Sequence, residues 1–584
     1  MRRFVIALAA SAALCLSIAA PLAAAEPRPF GHPCQPLAGV RFCPTLSDDA
    51  RVPSFDGVPL DVDVTLPASG EGPFPTIVML HGWGGNKAMF ESSDPNARYS
   101  NVWFARRGFM VVNYSARGWG RSCGLPASRT PNCARGWTHL ADQRYEIRDT
   151  QYLLGLLVDQ GLAAPRALGV TGISYGGIQS LELAFLRDRL RLPSGRLVAW
   201  RSPRGKRLAI AGAWARWGTA DLAGSLTVNG RLGDSPRAAA GLSGDPLGVP
   251  KQSYITALFG VAAGSALLAP KGADPTADLV AWKAITDAAL ETAAARALVR
   301  QLTRLHSAAG LATRRSAAPL LIQNGWTDDL FPALDGIYAY RLAGSGRRAF
   351  AALQLGDLGH PRAQNKLAQD DLFTRQGLAF FERFLQGRAR RLRSGSVTAF
   401  AVTCPASAAP LGPVTAPSWE RLARRAWRIS SPAQAEVTSS GGDPALGTAI
   451  NPLSTGACKE LPVSSGPGEY VLERTVPRRF LVMGLPRVAA NVRASGGRAY
   501  LAARLWAVRD GKMILVGRGA LRLRPRQQGR VSFQLFGTAW QFAPGDRVRL
   551  ELLGRDAPFL RPNDEEGFRV EVSKVRLSLP LAGR

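Results

Sequence analysis

The sequence predicts two folded units, an α/β domain interrupted by a helical insertion and then an all-β sandwich. Three observations predict them. From about residue 56 to 186, and again from about 316 to 390, apolar runs of strand length alternate with amphipathic segments of helix length. That alternation indicates a parallel sheet with crossover helices. Between the two stretches it lapses into alanine- and leucine-rich helical pieces such as DLVAWKAITDAALETAAARALVRQL. After about residue 394 only short alternating strands separated by turns follow, with Asp510-Gly511 as a hairpin signal. A chain of 584 residues exceeds the usual ~100 to 200 residues per domain, so more than one unit is expected.

The N-terminus, MRRFVIALAASAALCLSIAAPLAAAEP, has two arginines, an apolar run and small residues ending at Ala23-Ala24-Ala25. This is the form of a secretory signal peptide over residues 1–25, with Glu26 as the first mature residue. The run is nearly long enough to span a bilayer, but the A-x-A site favours cleavage over an uncleaved anchor. An exported protein with no stable membrane span is therefore expected, and retention at the cell envelope is left open. Cleavage removes Cys15 and leaves Cys34, Cys43, Cys123, Cys133, Cys404 and Cys458. An even number in an exported chain suggests disulfides, and local pairing gives Cys34 with Cys43, Cys123 with Cys133, and Cys404 with Cys458. None has C-x-x-C spacing, so no metal is expected.

The elements follow in order. DGVPLDVDVTLP from Asp56 is a half-buried strand, and FPTIVML is a buried one ending at His81. GFMVVNY is the next strand, and DQRYEIRDTQYLLGLLV is an amphipathic helix. ALGVTGIS is a strand ending on Ser174, and GIQSLELAFLRD is the helix after it. The insertion is placed at about 187–316 and reads as a cap over a pocket. Then APLLIQNGW and FAALQLG are strands, while LDGIYAYRLAG and LFTRQGLAFFERFLQG are helices. The first domain is bounded at 26–393 and the sandwich at 394–584.

The formal charge is +30, and all but nine of the 73 basic residues are arginine. They are scattered, with no long basic block interleaved with aromatics, so a diffuse positive surface is expected and no nucleic-acid partner.

Gly172-x-Ser174-x-Gly176 has the form of a nucleophile elbow, in which a strand turns sharply into a helix and holds a serine at an exposed apex. A hydroxyl needs a base and a carboxylate to orient that base, here in the order serine, acid, histidine at successive strand ends. Of His32, His81, His139, His306 and His360, only His360 in LQLGDLGHP follows a late strand in that order. Asp328 and Asp329 in NGWTDD follow the preceding strand, and Asp328, nearer its end, is favoured as the acid. Asp329 reads as a cap for the following helix, and Asp357 as a turn or cap residue. For an oxyanion, the donors expected are the backbone N–H of Tyr175 and that of Trp83 in HGWGG, with Gly84 as the alternative. This acyl-transfer chemistry requires no cofactor.

HGWGG, YSARGWGRSCG from Tyr114, GISYGG, NGWTDD and GDLGH, followed by a β-sandwich, resemble the X-prolyl dipeptidyl-peptidase and cocaine-esterase group of serine hydrolases. The resemblance implies an α/β-hydrolase domain with a helical cap, a C-terminal jelly roll, and Ser174, Asp328 and His360 as nucleophile, acid and base. It departs at one point. The group's cocaine esterase uses a tyrosine hydroxyl as second oxyanion donor, where this chain offers Trp83 and glycines. The resemblance puts an X-Pro dipeptidyl-peptidase-like activity on a small peptide first, and an acyl esterase on the same scaffold as the alternative. A non-catalytic envelope-binding protein comes third. A dipeptidyl-peptidase needs an acidic group for the peptide's free amine; Asp221, Asp287 and Glu291 are cap carboxylates available for it, with none assigned. Oligomeric state is not legible.

Overall fold

The computed structural model describes residues 26–231, 246–288, 292–311, 315–344, 349–390, 392–497, 499–563 and 567–583. The expected signal peptide and Glu291 lie outside these residues.

A mixed eleven-stranded sheet organises the first unit. At its centre the strand Ala163–Ile173 runs parallel to Phe74–Leu80 on one side and to Ile210–Arg216 on the other. Leu320–Gly325, Ala351–Gly356 and Val397–Ala401 continue the parallel set, and Leu411–Ala416 closes that edge antiparallel. The opposite side runs through Met110–Tyr114 to the antiparallel strands Val62–Leu66, Val40–Cys43 and Gln35–Leu37. Central strands are apolar on both faces because helices cover both. Ile77 and Met79 join a core with Phe104, Phe380 and Phe381, whereas Val78 and Leu80 belong to the larger core that includes Leu153 and Leu181.

Two boundaries differ from those read in the sequence. Ile210–Arg216 is a full member of the sheet, so the cap begins after it rather than at 187; the earlier stretch holds only a small hairpin of Arg189–Arg191 with Leu197–Ala199. Its sequence, IAGAWAR, is poor in β-branched residues and is preceded by an arginine- and proline-bearing segment, which hides the strand. At the other end the sheet runs past 393 through Val397–Ala401 and Leu411–Ala416, strands as short and alternating as those of the sandwich.

The second unit stacks two antiparallel sheets. The long strands Arg425–Thr438 and Arg569–Ala582 pair in the first; Tyr500–Arg509 lies between Lys512–Arg522 and Arg547–Leu553 in the second. Asp510 and Gly511 both have positive φ, 49° and 72°, as the two-residue hairpin turn requires. The sandwich is bonded directly to the first unit: Leu334 N–H donates to Phe536 O at 3.0 Å, and Ala457 N–H to Arg362 O at 3.0 Å. All three expected disulfides are formed, Cys34–Cys43, Cys123–Cys133 and Cys404–Cys458. No helix among the described residues is long and apolar enough to cross a membrane.

Candidate active site

Ser174 sits where the central strand ends and the helix Tyr175–Leu186 begins, with φ 55° and ψ −113°. A non-glycine residue in that region is strained, and the surroundings impose it. The turn is pressed against the neighbouring strand so closely that a Cβ on Gly176 would lie 2.0 Å from the carbonyl oxygen of Leu80. This contact is the physical reason for the glycine two residues after the serine.

His360 Nε2 lies 2.8 Å from Ser174 Oγ, and His360 Nδ1 lies 2.7 Å from Asp328 Oδ2. Asp328 is fully buried, and its other oxygen accepts the N–H groups of Leu330 at 2.9 Å and Phe331 at 3.0 Å. These donors leave Oδ2 to His360, whose backbone N–H also donates to it at 3.3 Å, and fix its direction. Gly359 lets the histidine loop come this close, since a Cβ there would be 2.3 Å from Asp328 Oδ2.

Asp329 does not cap the following helix. It is buried in an ion pair with Arg362, at 2.7 and 2.9 Å, with Arg518 3.9 Å away. The two adjacent aspartates therefore face opposite tasks, one toward the histidine and one toward the sandwich. Asp357 ties its own loop to the Asp328 loop, accepting from Gln364 N–H at 3.1 Å and from Thr327 Oγ1 at 2.5 Å.

The N–H groups of Tyr175, Trp83 and Gly84 donate no hydrogen bond among the described residues. The first is an orphan of the helix's opening turn, where N–H groups and the helix dipole favour negative charge. The Trp83 ring packs edge-on to Trp119 and Tyr175, and its indole N–H donates to Leu258 O in the cap at 2.9 Å. Tyr175 in turn donates its hydroxyl to Glu146 Oε1 at 3.2 Å. Glu146 also accepts the N–H groups of His139 at 2.6 Å and Asp142 at 3.1 Å, and burial pushes its carboxyl up to about 7. Sequence reasoning missed this brace; a lone Glu in the first turn of an amphipathic helix carries no signal beyond N-terminal charge preference.

His81, which opens HGWGG, is structural. Its Nε2 accepts the Ala116 N–H at 2.9 Å, and its Nδ1–H donates to Gly82 O at 2.7 Å. The bond accepted at Nε2 needs the neutral ring, and burial pulls its pKa down to about 4. The folded value thus lies below the ordinary histidine value of about 6.5, so the unfolded chain binds a proton that the native ring refuses. The stability that this ring contributes is complete above about pH 6.5 and shrinks as pH falls toward 4, by up to about 1.4 kcal/mol per pH unit. In urea titrations, stability should therefore depend less steeply on pH between 4 and 6.5 for His81→Gln than for the native protein. Equal slopes would refute this role.

Above the serine a cavity of about 160 Å³ opens under the cap. Trp83, Ser174 and Tyr175 form its floor, and Leu258, Trp282 and Leu302 are among the cap residues that wall it. Lys283 is the only charged side chain among its described lining residues. No group of three or more His, Cys, Asp or Glu among the described residues is placed to hold a metal ion.

Residues 56–193 match the family model of the X-Pro dipeptidyl-peptidase (S15 family), and residues 473–574 match that of the X-Pro dipeptidyl-peptidase C-terminal non-catalytic domain. The chain is a hydrolase that carries segments matching both models. No curated protein matches it at the sequence level. Among solved structures it is similar to a CocE/NonD family hydrolase from Staphylococcus aureus, with a TM-score of 0.59 at 12% identity over 93% of this chain and 94% of that one. An aminopeptidase from a marine sediment Thaumarchaeota archaeon gives 0.58 at 13% identity over 94% and 98%. An alpha-amino acid ester hydrolase gives 0.56 at 14% over 91% and 95%. At these identities the likeness establishes the shared architecture, an α/β-hydrolase domain with a β-sandwich after it.

Proposed function

We propose that the protein is an exported serine hydrolase that cleaves esters carrying an apolar group, with Ser174 as nucleophile, His360 as base and Asp328 as the acid that orients it. His360 Nε2 takes the Ser174 proton as Oγ attacks the carbonyl carbon. The oxyanion is held by the N–H groups of Tyr175 and Trp83. His360 then protonates the leaving alcohol, and water releases the acyl group by the same steps in reverse.

The observation that carries the ester reading is the lining of the cavity. A dipeptidyl-peptidase must hold a free ammonium, and among the described residues no carboxylate faces this space. Asp221 is buried and caps a short helix through the Gly224 N–H at 3.0 Å. Asp287 is paired with Lys283 and accepts from Gln252. The two family-model matches favour the second reading, an X-Pro dipeptidyl-peptidase. Three disulfides support export, since such bonds persist in oxidising compartments.

Parallel assays with nitrophenyl butyrate and an Ala-Pro nitroanilide, using Ser174→Ala as control, test the choice. Ester cleavage at least about a hundredfold faster in kcat/KM is expected, equivalent to about 2.7 kcal/mol at the transition state. Faster cleavage of the anilide, abolished by N-acetylation of the substrate, would establish the peptidase instead.

A further inference from the structure

The cap helix Gln252–Ser265 supplies Ile255, Leu258 and Phe259 to the cavity wall. The residue before it, Lys251, is only 1% exposed. Burying an ammonium is costly, and a lysine at such a site is retained where its charge or its donors are used. Its Nζ donates to the carbonyl oxygen of Leu330 at 2.6 Å, and Ser225 Oγ approaches the same oxygen at 3.3 Å. Leu330 is the residue whose N–H holds Asp328 Oδ1 at 2.9 Å. The peptide unit that carries this carbonyl also carries the Phe331 N–H, which donates to the same Asp328 oxygen at 3.0 Å, so a short path of bonds leads from the cap, through the Leu330–Phe331 peptide, to the carboxylate that faces His360.

The surroundings of Lys251 come from three parts of the molecule. Its ammonium lies 4.9 Å from the ring centre of Phe536 in the sandwich. Burial pulls its pKa down to about 8, against Asp335, Asp328 and Asp329, which favour the charged form that donates to Leu330 O. A cavity of about 40 Å³ beside it is walled by Asp221, Asn229, Asp335 and Phe536, and Asp221 Oδ2 there has no hydrogen-bond partner.

We propose that Lys251 is a positioning residue for hydrolysis: its ammonium fixes the Leu330 carbonyl and, through that residue, the Asp328 carboxylate that orients His360. This rests on the reading of Ser174, His360 and Asp328 as a triad. The same bond ties the acid loop to the start of the helix that walls the cavity, so the catalytic groups and the pocket are held in register by one side chain.

The test measures the rate at which a fluorophosphonate labels Ser174, from pH 5 to 9, in the full-length native protein, Lys251→Met and Lys251→Gln, with Ser174→Ala as control. In the methionine variant the labelling rate at pH 7.5 should fall about tenfold, the size expected for a misplaced catalytic group. The acid limb should shift from its native position, because the Asp328 carboxylate is no longer held toward His360 Nδ1. A purely space-filling role would not move that limb. Lys251→Gln keeps a polar head beside Asp335 and gives the same two readouts where the methionine variant does not fold. A folded variant with the native rate and acid limb overturns the proposal. Failure of the native protein to label, or equal labelling of Ser174→Ala, overturns the triad on which it rests, so the two failures are distinct.

Discussion

Ser174→Ala should lower kcat toward esters by about 10⁴- to 10⁶-fold and leave the melting temperature nearly unchanged. The hydroxyl removed makes one polar contact, the 2.8 Å bond to His360 Nε2. Alanine keeps the Cβ at the same strained φ of 55°, so the elbow has no new reason to relax. What disappears is the covalent route. The N–H groups at the helix terminus and the apolar cavity remain, and they support the small residual rate that oxyanion stabilisation and binding give alone. Stopped-flow release of nitrophenolate should lose its burst, and substrate affinity should hold within about threefold because the cavity lining is untouched. A variant that kept a few per cent of native turnover would remove Ser174 from the mechanism.

The architecture was legible because its signals are local. Apolar runs ending just before His81 and Ser174 are strands buried on both faces, and Asp510-Gly511 needs positive φ at both residues. The order of serine, aspartate and histidine at strand ends placed three side chains that the fold links through His360, 2.8 Å from Ser174 and 2.7 Å from Asp328. Legibility failed where a residue's task depends on distant partners. IAGAWAR looks too small and too poor in β-branched residues for a central strand, yet it is held by parallel neighbours on both sides. Asp329 reads as a helix cap from its neighbours alone, but its carboxylate is taken by Arg362, thirty-three residues on. Lys251 and Glu146 carry no motif, and only their burial against Leu330 and Tyr175 reveals them. The cavity's apolar character likewise comes from cap helices that sequence reasoning outlined as a group, without fixing which face looks inward.

The adjacent aspartates give the sharpest separation of chemistry from stability. Asp328→Asn should reduce kcat by about 10⁴-fold with little change in KM or in unfolding free energy. Asp328 Oδ1 accepts two backbone N–H groups, and its Oδ2 faces His360 Nδ1. An asparagine keeps more backbone donors satisfied with its single oxygen toward Leu330 and Phe331 than toward the longer His360 N–H contact, which turns its NH₂ toward the imidazole. His360 must then present a bare Nδ1, which puts its proton on Nε2, where it can no longer take one from Ser174. Asp329→Asn should do the reverse. It leaves the Asp328–His360 bond intact but strips the counter-charge from Arg362, which is itself buried and also donates to Leu515 O in the sandwich. Breaking one side of a buried ion pair costs about 3 to 5 kcal/mol, so denaturant unfolding should shift strongly while kcat of the folded fraction stays within a few-fold of native. If Asp329→Asn were instead the inactive, fully stable variant, the carboxylate that serves His360 would have to be reassigned, because only a group in contact with the imidazole can control its tautomer.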